Sequence, residues 1–302
     1  MKSFYKAGCF KDMAAALPHM RDVDDPFIQF LMNSRLLHMR DHVEDKPLTL
    51  GADPEFILCK KGTDEVVLYS SLYAGGNWNL SEAAVGADYG LLELRSPVFD
   101  AASDLIKYVS ERLASFSNDC YNQNIDILKK EAVEFDHLKQ RLREQMEDEK
   151  VDHGVNFHYK EQDIWGTNES PSIEGLEVSN MTISAYGKPI FTKPNPHLLS
   201  AGGHIHLGGG YVKMLSFPQL TALIRKIDQC VLPMCKEVET KAGELRRTIY
   251  GFPGEFRVKP YGFEYRSLSN AVFWPENMSA LKCIMAEVVS IATNFPLEGG
   301  EI

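Results

Sequence analysis

Apolar and polar positions along this chain fall into helix-like and strand-like stretches in succession. Phe27, Ile28, Phe30, Leu31, Leu36 and Leu37 form a broad apolar face behind Asp25–Pro26, a helix start with proline in its first turn, so residues 1–46 read as a helical lead-in. Residues 48–60 (LTLGADPEFILCK) read as a strand. Lys61 and Gly62 make a turn, and residues 66–73 form the partner strand. Residues 91–97 give another short strand. From 101 to about 150 the pattern is helical, with Leu105, Ile106, Val109 and Leu113 at helical spacing, Asp100 as a cap and a break expected over 115–124. Residues 140–150 are strongly polar, a solvated helical face or tip. Residues 152–175 are rich in turn formers and read as a long loop, the kind that is often functional inside a compact domain.

The second half repeats the mixture. Residues 176–186 and 204–207 read as strands. Ser216 caps a helix that carries Pro218 in its first turn, runs toward Lys241 and is expected to kink at Pro233. Residues 255–268 read as two short strands around Lys259-Pro260-Tyr261-Gly262. Pro275 opens a last helix through Ala280, Ile284, Val288 and Ile291. The expectation is one continuous α+β domain over 47–302, with a helical section at about 101–150, behind the 1–46 lead-in.

Composition narrows the function classes. The 302 residues are 44% hydrophobic, enough for a large core, and 25% charged, with a formal net charge of −10. A nucleic-acid binder needs a basic face for phosphates, and no Lys/Arg block supplies one, so nucleic acid is not an expected partner. The six cysteines are scattered with no C-x-x-C in a chain large enough not to need staples, which favours buried free thiols. The first residues lack an apolar core of secretory length, and no apolar run approaches the ~20 residues of a membrane span. A reducing cytoplasm and no membrane partner are the resulting expectations.

Four segments concentrate acids, histidines and arginines. In Gly51-Ala52-Asp53-Pro54-Glu55-Phe56 the two carboxylates share one strand face, because side chains alternate with period two. Such a pair either faces solvent or is neutralised by a hard divalent cation, which prefers oxygen ligands. In Asp88-Tyr89-Gly90-Leu91-Leu92-Glu93-Leu94-Arg95, Glu93 and Arg95 share a face, either as an ion pair or as a metal or amine acid beside an oxyanion clamp. In Ala201-Gly202-Gly203-His204-Ile205-His206-Leu207-Gly208 the histidines share a face with metal-ligand spacing, and the flanking glycines admit close approach. A cupin-type H-x-H site wants a carboxylate soon afterwards, and none follows. In residues 255–270 Arg257 and Lys259 alternate onto one face, as do Glu264 and Arg266, with Arg246 and Arg247 just upstream. This is either a surface ion-pair ladder or the lining of a polyphosphate and metal site. No P-loop, Rossmann glycine pattern or G-x-S-x-G elbow is present.

These motifs resemble the phage-type carboxylate–amine ligases, the amidoligases of the glutamine synthetase and glutamate–cysteine ligase superfamily. The resemblance rests on G-A-D-P-E-F, the E-L-R strand, A-G-G-H-I-H-L-G and K-P-Y-G-F-E-Y-R-S-L-S-N, and spans roughly residues 48–275. It implies a curved antiparallel sheet with helices packed on its outer face. It implies ATP with Mg²⁺ or Mn²⁺ as cofactors, and divalent metal held by Asp53, Glu55, Glu93, His204 and Glu264. His206, Arg95, Arg246, Arg247 and Lys259 would meet phosphate or nucleotide, and Arg257 and Arg266 would serve the phosphoryl transfer. Asp88 or Glu93 would take the amine's proton. One departure is an Asp-x-Glu pair where the superfamily has Glu-x-Glu, and no adenine-binding residue can be matched.

The implied reaction joins a carboxylate to an amine, on a small molecule or a peptide, through an acyl phosphate, in a cytoplasm that is the host's if the chain is phage-encoded. A guanidino-kinase-like phosphotransferase, a metal-dependent hydrolase and a non-catalytic binding module are the rivals. Acyl phosphates hydrolyse readily, so residues 152–175, carrying Phe157, Tyr159 and Trp165, are expected to cover the site.

Overall fold

The computed structural model describes residues 48–69, 85–88, 91–122, 124–134, 182–186, 198–209, 211–212, 215–249, 251–259 and 261–296; the expectations for the 1–46 lead-in, the polar 140–150 stretch and the 152–175 cover lie outside them. The described strands are β1 (Thr49–Lys60), β2 (Val66–Val67), β3 (Val85–Asp88), β4 (Leu91–Leu94), β5 (Ile125–Leu128), β6 (Ala132–Glu134), β7 (Thr182–Ser184), β8 (Leu198–Ser200), β9 (Gly203–Gly208), β10 (Glu255–Lys259) and β11 (Gly262–Tyr265). The helices are α1 (Ala102–Asn122), α2 (Phe217–Val238), α3 (Lys241–Arg246) and α4 (Met278–Thr293).

The main sheet runs β3-β4-β1-β9-β11-β10-β7, and every described pairing is antiparallel. The long strand β1 organises it. Its first half pairs with β9, its centre with β4, and its far half lies between β2 and β5. Strands β6 and β8 make a separate ribbon. The chain is thus α+β with an antiparallel sheet and helices, as the sequence pattern predicts.

Alternation along the strands gives the sheet two unlike faces. Leu50, Ala52, Phe56 and Leu58 of β1, Leu92 and Leu94 of β4, Ile205 and Leu207 of β9, Phe256 and Val258 of β10, and Phe263 and Tyr265 of β11 point to one side. There they join the buried residues of α1, α2 and α4 in one core. The other face carries the candidate chemistry. At its far end it turns apolar again, where Ile57 and Cys59 pack with Leu68, Leu91, Leu128 and Leu199 in a second cluster.

The elements begin and end for local reasons. Helix α2 starts with a capping box in which the Ser216 hydroxyl and Gln219 satisfy each other's backbone N–H groups. It runs unbroken past Pro233, which lies exposed near its end. Thr240 then caps α3, accepting from the Ala242 N–H at 3.1 Å. Two expectations need correcting. Of the partner strand expected over 66–73, residues 66–69 are described, and the strand there is the two-residue β2. Helix α1 ends at Asn122, inside the break expected over 115–124. The chain then reverses at Asn124, whose φ of 61° is left-handed, and enters β5 and β6, so the helical reading of 125–134 is wrong. Ile125-Asp126-Ile127-Leu128 is too short to betray its period, and β5 exists because β1 offers it an edge.

Of the described cysteines, Cys59 and Cys235 are buried free thiols, Cys230 is half-buried and Cys283 exposed. Among the described residues no helix is long and apolar enough to cross a membrane.

Candidate functional site

Strand register assembles the polar face. Asp53 lies opposite His204, and Gly51 opposite His206, across β1 and β9. His206 lies opposite Glu264 on β11, which in turn faces Arg257 on β10. Glu55 faces Glu93 across β1 and β4. Residues far apart in sequence thus form successive rows on one face.

At the centre, Asp53, His204 and Glu264 each aim one potential ligand atom at a common point, all within 4.8 Å of one another. His204 Nδ1 is 3.4 Å from Asp53 Oδ1 and 3.5 Å from Glu264 Oε1. His206 Nε2 is 2.9 Å from the same Asp53 oxygen. Two carboxylates and one imidazole suit a divalent cation of the Mg²⁺ or Mn²⁺ type that keeps further positions for other oxygen ligands. Glu264, His204 and His206 are buried, while the Asp53 side chain is 19% exposed. The cluster opens to solvent at Asp53 and at Arg257.

Glu264 is ringed by cations. Arg266 Nη1 donates to its Oε1, Lys259 Nζ stands 3.5 Å from Oε2, and Arg257 Nη1 is 3.8 Å from Oε1. Burial pushes the Glu264 carboxyl up. Arg266, Arg257, Lys259 and His204 outweigh that and hold it well below the ordinary carboxylate range. Burial likewise raises Asp53, but the charges of and hydrogen bonds to His206 and His204 win and lower it. Both acids are therefore ionised at neutral pH.

The other expected site residues fall into two groups. Glu55 is buried near this cluster with its Oε2 accepting from the Gly202 N–H at 2.6 Å, outside the central triad. Glu93, also buried, is gripped by Arg95 through Nε and Nη2, so these two form the ion pair that the sequence left as one of its readings. Of Asp88 only the backbone is described, at the end of β3 opposite Leu91. Arg246 and Arg247 are engaged with the main chain. Arg246 is fully buried, with Nε on Ala201 O at 2.9 Å and Nη2 on Leu268 O at 2.7 Å and Arg266 O at 3.2 Å. Arg247 donates to Gly251 O, to Ser267 O and to Glu239.

Several contributors escape sequence reasoning. Glu255 is buried, accepts from the Gly251 and Phe252 N–H groups, and lies 3.5 Å from Arg266 Nε, so Arg266 bridges two carboxylates. Asp228 on α2 accepts from Gly254 N–H at 2.8 Å, the Tyr265 hydroxyl at 2.7 Å and the Tyr186 hydroxyl at 3.0 Å, which fastens the β10–β11 hairpin to the helix. Burial and Asp228 push Tyr186 up to about 12. Tyr261, in the hairpin turn, hydrogen-bonds His206 Nδ1. Only a buried acid inside the apolar stripe of α2 could have flagged Asp228; the others depend on tertiary neighbours.

The fold and site define a class: an antiparallel sheet, backed by helices on one face, whose other face gathers carboxylates and imidazole able to hold a metal among cations suited to oxyanions. Residues 194–296 match the model of a family described as phage phiEco32-like COOH.NH2 ligase-type 2. The match takes in β8, β9, α2, α3, the β10–β11 hairpin and α4, about a third of the chain, and supports both the phage-type carboxylate–amine ligase family and an enzyme of the C–N ligase type. It does not reach β1 or β4, which bear Asp53, Glu55 and Glu93. No curated protein matches the chain.

Proposed function

We infer that this protein is an ATP-dependent carboxylate–amine ligase of the glutamine synthetase-like fold that forms an amide or peptide bond through an acyl phosphate. The observation that carries this reading is the junction of Asp53, His204 and Glu264 with Arg257, Lys259 and Arg266, brought onto one face from β1, β9, β10, β11 and the residue after β11. Asp53, His204 and Glu264 would hold a divalent cation, with Glu55 and Glu93 as further carboxylates beside it. When bound, that cation supplies positive charge against the β- and γ-phosphates of ATP.

In the first step a carboxylate oxygen of the substrate attacks the γ-phosphorus and ADP leaves. Arg257, the most exposed of the three cations at 29%, would meet the phosphoryl group as charge redistributes, with Arg266 and Lys259 behind it. In the second step the amine nitrogen attacks the acyl carbon and inorganic phosphate departs. The amine's proton goes to a carboxylate, for which Glu93 and Asp88 are the candidates. His206, hydrogen-bonded to the Tyr261 hydroxyl through Nδ1 and with Nε2 2.9 Å from Asp53 Oδ1, packs between them. The substrate is a small molecule or peptide bearing a carboxylate or an amine.

The test is ATP turnover with Mg²⁺ or Mn²⁺ across a panel of acids and amines, with products read by mass spectrometry. One amide and one phosphate per ATP is the expected stoichiometry. ATP consumed with a phosphorylated guanidine or acid as the final product, and no amide for any pair, would move the assignment to a phosphotransferase. Turnover without nucleotide would make it a hydrolase.

A further inference from the structure

Arg266 has two carboxylates beside it, one on each strand of the hairpin. β10 and β11 pair Arg257 with Glu264 and Phe256 with Tyr265, so Glu255 and Arg266 lie opposite one another in the next pair, where the Arg266 N–H donates to the Glu255 carbonyl at 2.9 Å. Side chains alternate along a strand, which puts Glu255, Arg257, Glu264 and Arg266 on the same polar face. Arg266 nonetheless leans along its own strand. Its Nη1 donates to Glu264 Oε1, while its Nε stands 3.5 Å from Glu255 Oε1. Glu255 is held from behind. It is 2% exposed, and its Oε2 accepts from the Gly251 N–H at 2.6 Å and the Phe252 N–H at 2.9 Å. Gly251 carries a left-handed φ of 77° in that turn, and a Cβ there would strike the Arg246 guanidinium. The backbone thus fixes one oxygen of Glu255 and leaves the other turned to Arg266.

Glu264 Oε1 also faces the triad, 3.5 Å from His204 Nδ1. A cation held by Asp53, His204 and Glu264 would need that oxygen. A guanidinium hydrogen-bonded to it occupies a lone pair and repels a second positive charge. Glu255 offers Arg266 another partner. We propose that Glu255 is a positioning residue: when a divalent cation enters the triad, Arg266 gives up Glu264 and pairs with Glu255 Oε1, which releases the Glu264 carboxylate to the cation. The move is short, because Nε already lies 3.5 Å from its new partner. It also keeps charges matched. The cation takes over Glu264, and Arg266, itself buried, stays beside an acid instead of being stranded. The proposal rests on the metal reading given above and adds a residue to it.

Two measurements on the full chain test this. A crystal structure of the wild type grown with Mn²⁺ alone, the ion located by its anomalous scattering, is expected to show the Arg266 guanidinium hydrogen-bonded to Glu255 and no longer to Glu264. Mn²⁺ at the triad with Arg266 still on Glu264 overturns the proposal, and no variant has to fold for that result. Mn²⁺ titrations followed by EPR then read the coupling between the two residues. Glu255→Gln keeps an acceptor for the 251–252 turn but loses the charge. It should bind Mn²⁺ about tenfold more weakly than wild type, whereas the same change in an Arg266→Gln background should stay within about twofold. An unchanged affinity for Glu255→Gln overturns the proposal. So does an equal loss in both backgrounds, which a bare change of charge would give. If the wild type itself takes up no Mn²⁺, the metal reading falls and this proposal with it, an outcome distinct from Mn²⁺ bound while Arg266 stays on Glu264.

Discussion

Glu264→Gln is the sharpest perturbation of this site. The side chain keeps its shape but loses the charge toward which Arg257, Lys259 and Arg266 all point, while Arg266 keeps Glu255. At 3.5–3.8 Å and an effective dielectric near 20, each of the looser contacts is worth about 4 kcal/mol of gross attraction. Most of that is offset by the cost of bringing the ions out of water. Removing one partner of a buried ion pair nonetheless costs about 3–5 kcal/mol, because the other charge stays behind. Here Lys259 is 1% exposed and Arg266 8%, so water cannot replace the lost carboxylate beside them, and with it gone the neighbouring cations repel one another more strongly. The expected loss lies in that range, corresponding to a fall of about 6–20 °C in melting temperature for a domain of this size class. The assay is calorimetry or far-UV circular dichroism, repeated with sulfate or inorganic tripolyphosphate. An anion should restore the variant more than it stabilises the wild type, since it replaces the missing negative charge. A Glu264→Gln protein that melts within about 2 °C of wild type, with no added response to anions, would refute the view that Glu264 neutralises these cations.

Three further outcomes follow from other parts of the structure. Arg246→Lys keeps the charge but cannot reach the carbonyls of Ala201, Arg266 and Leu268 together; it should cost about 2–4 kcal/mol in chemical denaturation, with substrate chemistry lost only as far as stability is. Gly203→Ala would drive a Cβ to 2.7 Å from the Phe273 ring and against the Ser269 carbonyl, so it should destabilise by about 1–3 kcal/mol, measured the same way. The pH dependence has a fixed sign: Asp53 and Glu264 both titrate below their ordinary values of 3.8 and 4.5, so their stabilisation is complete above about pH 4.5 and is lost as pH falls through the lowered native values. The stability gap between wild type and Glu264→Gln should narrow under strong acid, as the Glu264 carboxyl takes up its proton, which urea titrations at stepped pH would reveal.

Much of the site was legible in the sequence because strands declare their faces. Period two alone puts Asp53 with Glu55, His204 with His206, and Arg257 with Lys259, and the structure keeps each pair together on the polar side. What the sequence could not supply was register. Nothing local says that Asp53 meets His204 and His206 while Glu55 turns to a backbone N–H of Gly202. Arginines are ambiguous for a similar reason. Arg246 and Arg257 look alike in a row of cations, yet one is sunk among carbonyls and the other is open to solvent, a difference set by α3 and the 251–254 turn. Strands β5 and β6 were missed because their stability comes from the edges of β1 and β8, not from their own composition.

The polar rows also have a bearing on how faithfully the chain reaches its native pairing. A slip of one residue between β1, β9, β10 and β11 would turn Asp53, His204, Glu264 and Lys259 toward the helices and bring Ala52, Ile205, Phe263 and Val258 onto the polar face. Each misplaced charge would enter a layer of Leu, Ile and Phe with no counter-ion there to meet it. Pairings displaced by one residue are thereby emptied, although short strands of mixed length would otherwise sample them. The groups that would serve the chemistry thus act beforehand as proofreaders of the sheet, and replacing several of them with apolar residues should yield a protein that loses its single strand alignment as well as its reaction.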